Sequence, residues 1–152
     1  MYRKILVALE NGPADEALIP HVRDLASRLG SELLLVHVAD GFAARNFKQL
    51  KLAESEEMKE DRAYLEREAE KIRTFGLTVR TLLALGNPPQ EILRAAESGM
   101  CDLIAMGSHG HRFFGDILHG STISGVRHQS SIPVLVIPGS KTGGYPAQDP
   151  MP

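Results

Sequence analysis

Short apolar runs alternate along the chain with longer amphipathic stretches. "KILVAL" (4–9), "ELLLVHV" (32–38), "LTVRTLLAL" (77–85), "DLIAM" (102–106) and "IPVLVIP" (132–138) have the length and the branched apolar content of strands. Between the first two, "ADEALIPHVRDLASRLG" (14–30) repeats its apolar residues at helical spacing, with Leu18, Val22, Leu25, Ala26 and Leu29 on one face and Gly30 as a stop. Pro20 sits inside that pattern and predicts a bent or shortened first turn. Residues 39–52 carry weak periodicity and read as an irregular excursion. A long charged helix follows over about 53–75, with Met58, Leu65, Ala69 and Ile72 on its apolar stripe and a solvated face elsewhere. "PQEILRAAES" (89–98) reads as a short helix with proline near its start, and another helix is predicted around 121–130.

Strands that alternate with helices imply right-handed crossovers and a parallel sheet covered on both faces. The unbroken Val, Ile and Leu content of the first, second and fifth runs agrees, because such strands are buried on both sides. The fold class is therefore α/β, in one domain over 1–138. The tail at 139–152, rich in Gly and Pro, is expected to be flexible.

Composition narrows the function. The chain has 152 residues and is 43% hydrophobic, enough for one packed domain. A formal net charge of -2 argues against nucleic acid or an anionic membrane as the main partner. No apolar run approaches the ~18 residues of a membrane span, and the one near the start is too short for a secretory signal. The single cysteine, Cys101, excludes an intramolecular disulfide and reads as a small buried residue. The chain reads as soluble and cytoplasmic.

The chemistry concentrates in "GSHGHRFFGDILHGST" (107–122), which follows the fourth strand and runs into the predicted helix. In an open parallel sheet, ligands bind beyond the carboxyl ends of the strands, where the strand order reverses. Glycines there let bare backbone approach a ligand, and amides at a helix start favour an anion. A lone glycine would read as a tight turn. Gly107, Gly110 and Gly120 together, with the Ser121 and Thr122 hydroxyls at the helix start, favour a phosphate cradle. Two common phosphate loops are excluded. No Lys precedes Ser121 as G-x-x-x-x-G-K-[ST] requires, and the first strand is followed by "ENGPA" rather than G-x-G-x-x-G.

The stretch resembles the nucleotide-binding branch of the universal stress proteins. Their pattern is G, two residues, G, nine residues, then G followed by Ser or Thr, and Gly107, Gly110, Gly120 and Ser121 match it without a gap. "KILVALE", "LLLVHVAD", "CDLIAMGSHG" and "IPVLVIP" resemble the family's first, second, fourth and last strands, so the likeness covers residues 2–138. The resemblance implies an adenine nucleotide alpha hydrolase-like fold: a single open five-stranded parallel sheet, order 3-2-1-4-5, with helices on both faces. It places the reversal between the first and fourth strands, whose carboxyl ends lie at Glu10 and Met106.

The same resemblance implies ATP, or AMP or ADP, as ligand. Gly107, His109, Gly110, Gly120, Ser121 and Thr122 would hold phosphates and nearby ribose, Val38 would meet adenine through its main chain, and Ala8 and Leu9 would line the base pocket. Glu10 stands where the family usually has Asp; it is assigned to the ribose hydroxyls, against the reading of a solvated strand-end Glu. In "HRFF", Phe113 and Phe114 are expected to pack on the protein or a partner subunit, and Arg112 to face phosphate or solvent. Magnesium or manganese would come with the phosphates; His109 and His111 alone do not make a side-chain metal site. Asp116 reads as a helix-start residue or a water-orienting one, and no carboxylate pair or triad is legible, so no catalytic residue is assigned. His37 reads as a hydrogen-bonded core residue. The expected function is a nucleotide-dependent stress-response module, homodimeric through 133–138. The alternatives are a slow ATP-hydrolysing enzyme and a nucleotide-free, partner-binding dimer.

Overall fold

A computed structural model of the chain describes residues 1–39, 56–108 and 117–139, with 117–120 described in backbone only. Five strands form one parallel sheet: β1 (Lys4–Ala8), β2 (Glu32–Ala39), β3 (Val79–Leu85), β4 (Leu103–Ser108) and β5 (Val134–Pro138). Their order is β3-β2-β1-β4-β5, as the family resemblance implies. Four helices are described: α1 (Asp15–Leu29), α2 (Glu56–Arg73), α3 (Pro88–Ser98) and α4 (Ile117–Gln129).

Alternating side chains divide the sheet into two apolar faces. Ile5, Val7, Leu33 and Leu35 meet Leu18 and Val22 of α1 and Leu65 and Ile72 of α2 in one core cluster. Leu6, Ala8, Val36, Ile104 and Met106 meet Ile92 and Ala96 of α3 and Val126 of α4 in the other. Ile5, Leu6 and Val7 are fully buried, which is why β1 reads as continuous apolar sequence. α1 ends as predicted on Gly30, whose φ of 68° is a left-handed cap that suits a residue without Cβ. α3 is capped by Asn87, whose side chain accepts from the Gln90 amide.

Three expectations are corrected. Pro20 lies within α1, which runs through it from Asp15, so the first turn is not shortened; helix packing on the sheet outweighs the one lost backbone bond. β4 does not stop at Met106. It continues through Gly107 and Ser108, because β5 extends alongside and pairs them with Ile137 and Pro138. The last helix begins at Ile117 rather than 121, so Gly120, Ser121 and Thr122 lie inside it. Glycine and serine are weak helix formers, and the sequence pattern therefore suggested a boundary that tertiary packing overrides. Gly125 shows one such contact: a Cβ there would stand 3.0 Å from Pro89, so its absence brings α4 close to α3.

Candidate functional site

The strand order reverses between β1 and β4. Ala8 pairs with Met106 on one side and with Val36 on the other, at the carboxyl edge of the sheet. The Leu9 amide extends the edge by donating to the Val36 carbonyl at 2.8 Å. Ala8, Leu9, Glu10, Val38, Met106 and Gly107 are thereby gathered along the ends of three neighbouring strands. Ala8, Leu9, Met106 and Gly107 are buried, whereas Val38 is half-buried. Glu10 is also half-buried, and its Oε2 is shielded from solvent, which removes the reading of a freely solvated strand-end Glu.

Gly107 has a packing role that the sequence did not disclose. A Cβ on it would lie 2.9 Å from the Ala14 carbonyl oxygen and 3.2 Å from the Ala14 Cβ. Only glycine lets the start of α1 sit this close to the end of β4. Ser121 is exposed and Thr122 half-buried, in the second turn of α4. Next to them, Ile123 packs with the core cluster that holds Ala8 and Met106, which sets this turn on the same sheet face. A helix leaves its first N–H groups without intrahelical acceptors; here that turn starts at Ile117. His109 and Gly110 lie outside the described residues, as do His111, Arg112, Phe113, Phe114, Asp116, the excursion from 40 and the tail from 140. Gly120 is described in backbone only.

The β1–α1 turn is built from polar side chains. The Asp15 carboxylate, buried at the first residue of α1, accepts the Glu10 amide at 3.0 Å and the Asn11 amide at 2.9 Å. The Tyr64 hydroxyl of α2 donates to the same carboxylate at 2.7 Å. Burial pushes the Asp15 carboxyl above its ordinary range; the bonds from the Glu10 amide, Tyr64 and Asn11 pull it back without cancelling that effect. Tyr64 is held well above the usual phenol range by its own burial and by the adjacent Asp15 charge.

A second set of contacts lies beside the first. Asn11 adopts a φ of 58° and donates from Nδ2 to Asp61 Oδ1 at 3.1 Å. Asp61 Oδ2 faces His37 Nε2 at 3.3 Å, and His37 Nδ1 lies 2.8 Å from the Leu9 carbonyl. A carbonyl only accepts, so Nδ1 carries the proton in that bond. His37 is thus hydrogen-bonded, as its place in an apolar strand predicts. Asp15, Asn11, Asp61 and Tyr64 were missed in the sequence. One signal was present: Asp61 falls between Met58 and Leu65 on the buried stripe of α2, a charged residue at a core-facing interval.

Other chemistry is sparse. Cys101 is buried, and that burial raises its thiol pKa, which is the state of an unreactive thiol. Among the described residues, no group of three or more His, Cys, Asp or Glu side chains could hold a metal ion. No described helix is long and apolar enough to cross a membrane.

Residues 1–138 match the universal stress protein family. The chain is 31% identical to the universal stress protein MJ0577 of Methanocaldococcus jannaschii, over 90% of this chain and 95% of that protein. The solved structure of MJ0577 superposes with a TM-score of 0.77 at 29% identity, covering 93% of this chain and 99% of that one. Two more distant structures share the fold. The Archaeoglobus fulgidus universal stress protein, solved in complex with dAMP, gives a TM-score of 0.67 at 22% identity, covering 90% and 98% of the two chains. A universal stress protein in complex with cAMP gives 0.67 at 16% identity, covering 91% and 98%. The chain belongs to the universal stress protein family.

Proposed function

We propose that this universal stress protein binds an adenine nucleotide (ATP, ADP or AMP) at the carboxyl edge of β1 and β4 and acts as a nucleotide-dependent stress-response module. One observation carries the reading. The first glycine of the G-2x-G-9x-G-S pattern, Gly107, lies one residue past the Ala8–Met106 pair, at the point where the strand order reverses. Relatives of the same fold solved in complex with dAMP and with cAMP support an adenine nucleotide as the ligand class.

In this reading Ala8 and Leu9 line the base and the Val38 main chain meets adenine. Glu10 accepts from ribose hydroxyls. Gly107, His109, Gly110, Gly120, Ser121 and Thr122 surround the phosphates, and the first turn of α4 adds its open amides to the cradle. Ser121 and Thr122, one turn into the helix, would serve through their hydroxyls. Magnesium or manganese would be carried by the phosphates. The chemistry is binding: the buried Asp15 and Asp61 are already engaged in holding the turn.

Calorimetric titration of ATP with magnesium tests this, on the wild type and on Gly110→Val. The wild type should bind and the valine variant should not. A wild type that fails to bind, after co-purified nucleotide has been excluded, overturns the reading. The same reading includes a homodimer through β5, an edge strand whose Val134, Leu135 and Val136 stay half-exposed in the single chain. Sedimentation equilibrium should give twice the chain mass, and a single-chain mass at micromolar concentration would refute it.

A further inference from the structure

We infer that α2 is a positioning element for the β1–α1 turn: Asp61 and Tyr64 fix Leu9, Glu10 and Asn11, so that a ligand seated at Glu10 and the docking of α2 are coupled. The coupling rests on the nucleotide reading above; the positioning does not.

Each of three consecutive residues is tied, and the ties lead to α2. Leu9 is engaged through its carbonyl, which accepts from His37 Nδ1, and His37 Nε2 stands 3.3 Å from Asp61 Oδ2, an ion pair when the ring carries both protons. Glu10 is engaged through its amide, which donates to Asp15, and Asp15 is held in turn by the Tyr64 hydroxyl. Asn11 is engaged twice, by its amide on Asp15 and by its side chain on Asp61. Asp61 and Tyr64 lie 50 and 49 residues from the groups they bind, so these are tertiary contacts and not consequences of the turn itself.

Two further facts favour a positioning role over simple packing. The Asn11 φ of 58° lies in the left-handed region, which asparagine adopts at a smaller cost than most L-residues, and its bonds to Asp15 and Asp61 hold it there. The remainder of the buried face of α2, with Met58, Leu65, Ala69 and Ile72, is apolar. Cohesion alone would be served by one more apolar residue at position 61, because burying a carboxylate carries a desolvation cost. An acid at that position instead makes the contact directional. By linkage, if α2 favours the turn geometry that a ligand requires, a bound ligand favours α2 docking by the same factor.

Amide hydrogen exchange resolved by residue tests both halves. The samples are the full chain, Tyr64→Phe, which keeps the ring, and Asp61→Leu, which keeps the bulk. Without ligand, the Glu10 and Asn11 amides should exchange roughly tenfold faster in Tyr64→Phe, as expected on losing a charge-assisted hydrogen bond. Asp61→Leu should speed the Asn11 amide. Amides within β1 and β4 should speed by no more than the loss of global stability that urea unfolding gives for each variant. Sheet amides that speed beyond that loss, or no change at Glu10 and Asn11, overturn the positioning role.

With ATP and magnesium at concentrations that calorimetry shows to saturate the wild type, α2 amides from 61 to 69 should slow several-fold. The slowing should shrink in Asp61→Leu. Saturated wild type with unchanged α2 exchange overturns the coupling while nucleotide binding stands. A wild type that binds no nucleotide overturns the nucleotide reading and the coupling with it, and the ligand-free exchange still decides the positioning.

Discussion

The two sides of the β1/β4 edge reach order by opposite means. On the β1 side, the turn after the strand is held by side chains: Asp15 gathers the Glu10 and Asn11 amides, and Asp61 and Tyr64 reach in from α2. On the β4 side, order comes from a missing side chain, because Gly107 has no Cβ and the Ala14 carbonyl occupies that space. The sides meet at the start of α1, where Ala14 abuts Gly107 and Asp15 fixes the turn before it. A polar clamp tolerates small displacements, since hydrogen bonds lengthen gradually. A close backbone approach does not, since repulsion rises steeply. The β4 side should therefore be the more brittle to substitution and the β1 side the more sensitive to protonation.

The largest expected effect follows from that brittleness. Gly107→Ala would bring Cβ to 2.9 Å from a backbone oxygen that no rotamer change can move. The start of α1 would have to retreat, at a cost of about 2 kcal/mol, the usual scale of overpacking. Urea unfolding should show a lower midpoint with little change in slope. A midpoint equal to wild type would mean that this edge adapts as readily as the polar side, and the contrast between them would fail.

Much of this was legible in the sequence, for physical reasons. The five strands declared themselves because strands buried on both faces must be apolar throughout, as Ile5, Leu6 and Val7 are. α1 was legible through its apolar stripe and Gly30. The strand order came with the family motif, not with periodicity. The end of β4 was hidden because Gly107 reads locally as a loop residue, and its strand conformation depends on β5 pairing from the far end of the chain. The start of α4 was misplaced for a related reason: Gly120, Ser121 and Thr122 have low intrinsic helix preference, and tertiary packing decides. The clamp was the least legible feature. Asp15 resembles any acid in a first helical turn, and Asp61 any acid on a charged helix, until the fold brings α2 to the end of β1.

The smallest expected effect is one of pH, and it probes the polar side alone. The Asp15 carboxyl is raised above 3.8 chiefly by burial. Between 3.8 and its folded value, the folded state holds more protons than the unfolded chain. Stability from this group must therefore fall as pH rises through that window, and the full cost persists above it. Asp102 works in the opposite sense and over a lower range. Burial alone would raise it, but the Lys4 and Arg3 amides outweigh that effect and bring it below 3.8, so its stabilisation is lost on acidification beneath that value. Glu66 is likewise lowered, chiefly by the Thr81 hydroxyl, from 4.5. Asp15→Asn removes only the first of these contributions. Urea unfolding of wild type and Asp15→Asn across the acidic range should show the wild type losing ground to the variant as pH rises above 3.8. Parallel curves would mean that the clamp carries no linked proton, and that its polar groups act by geometry alone.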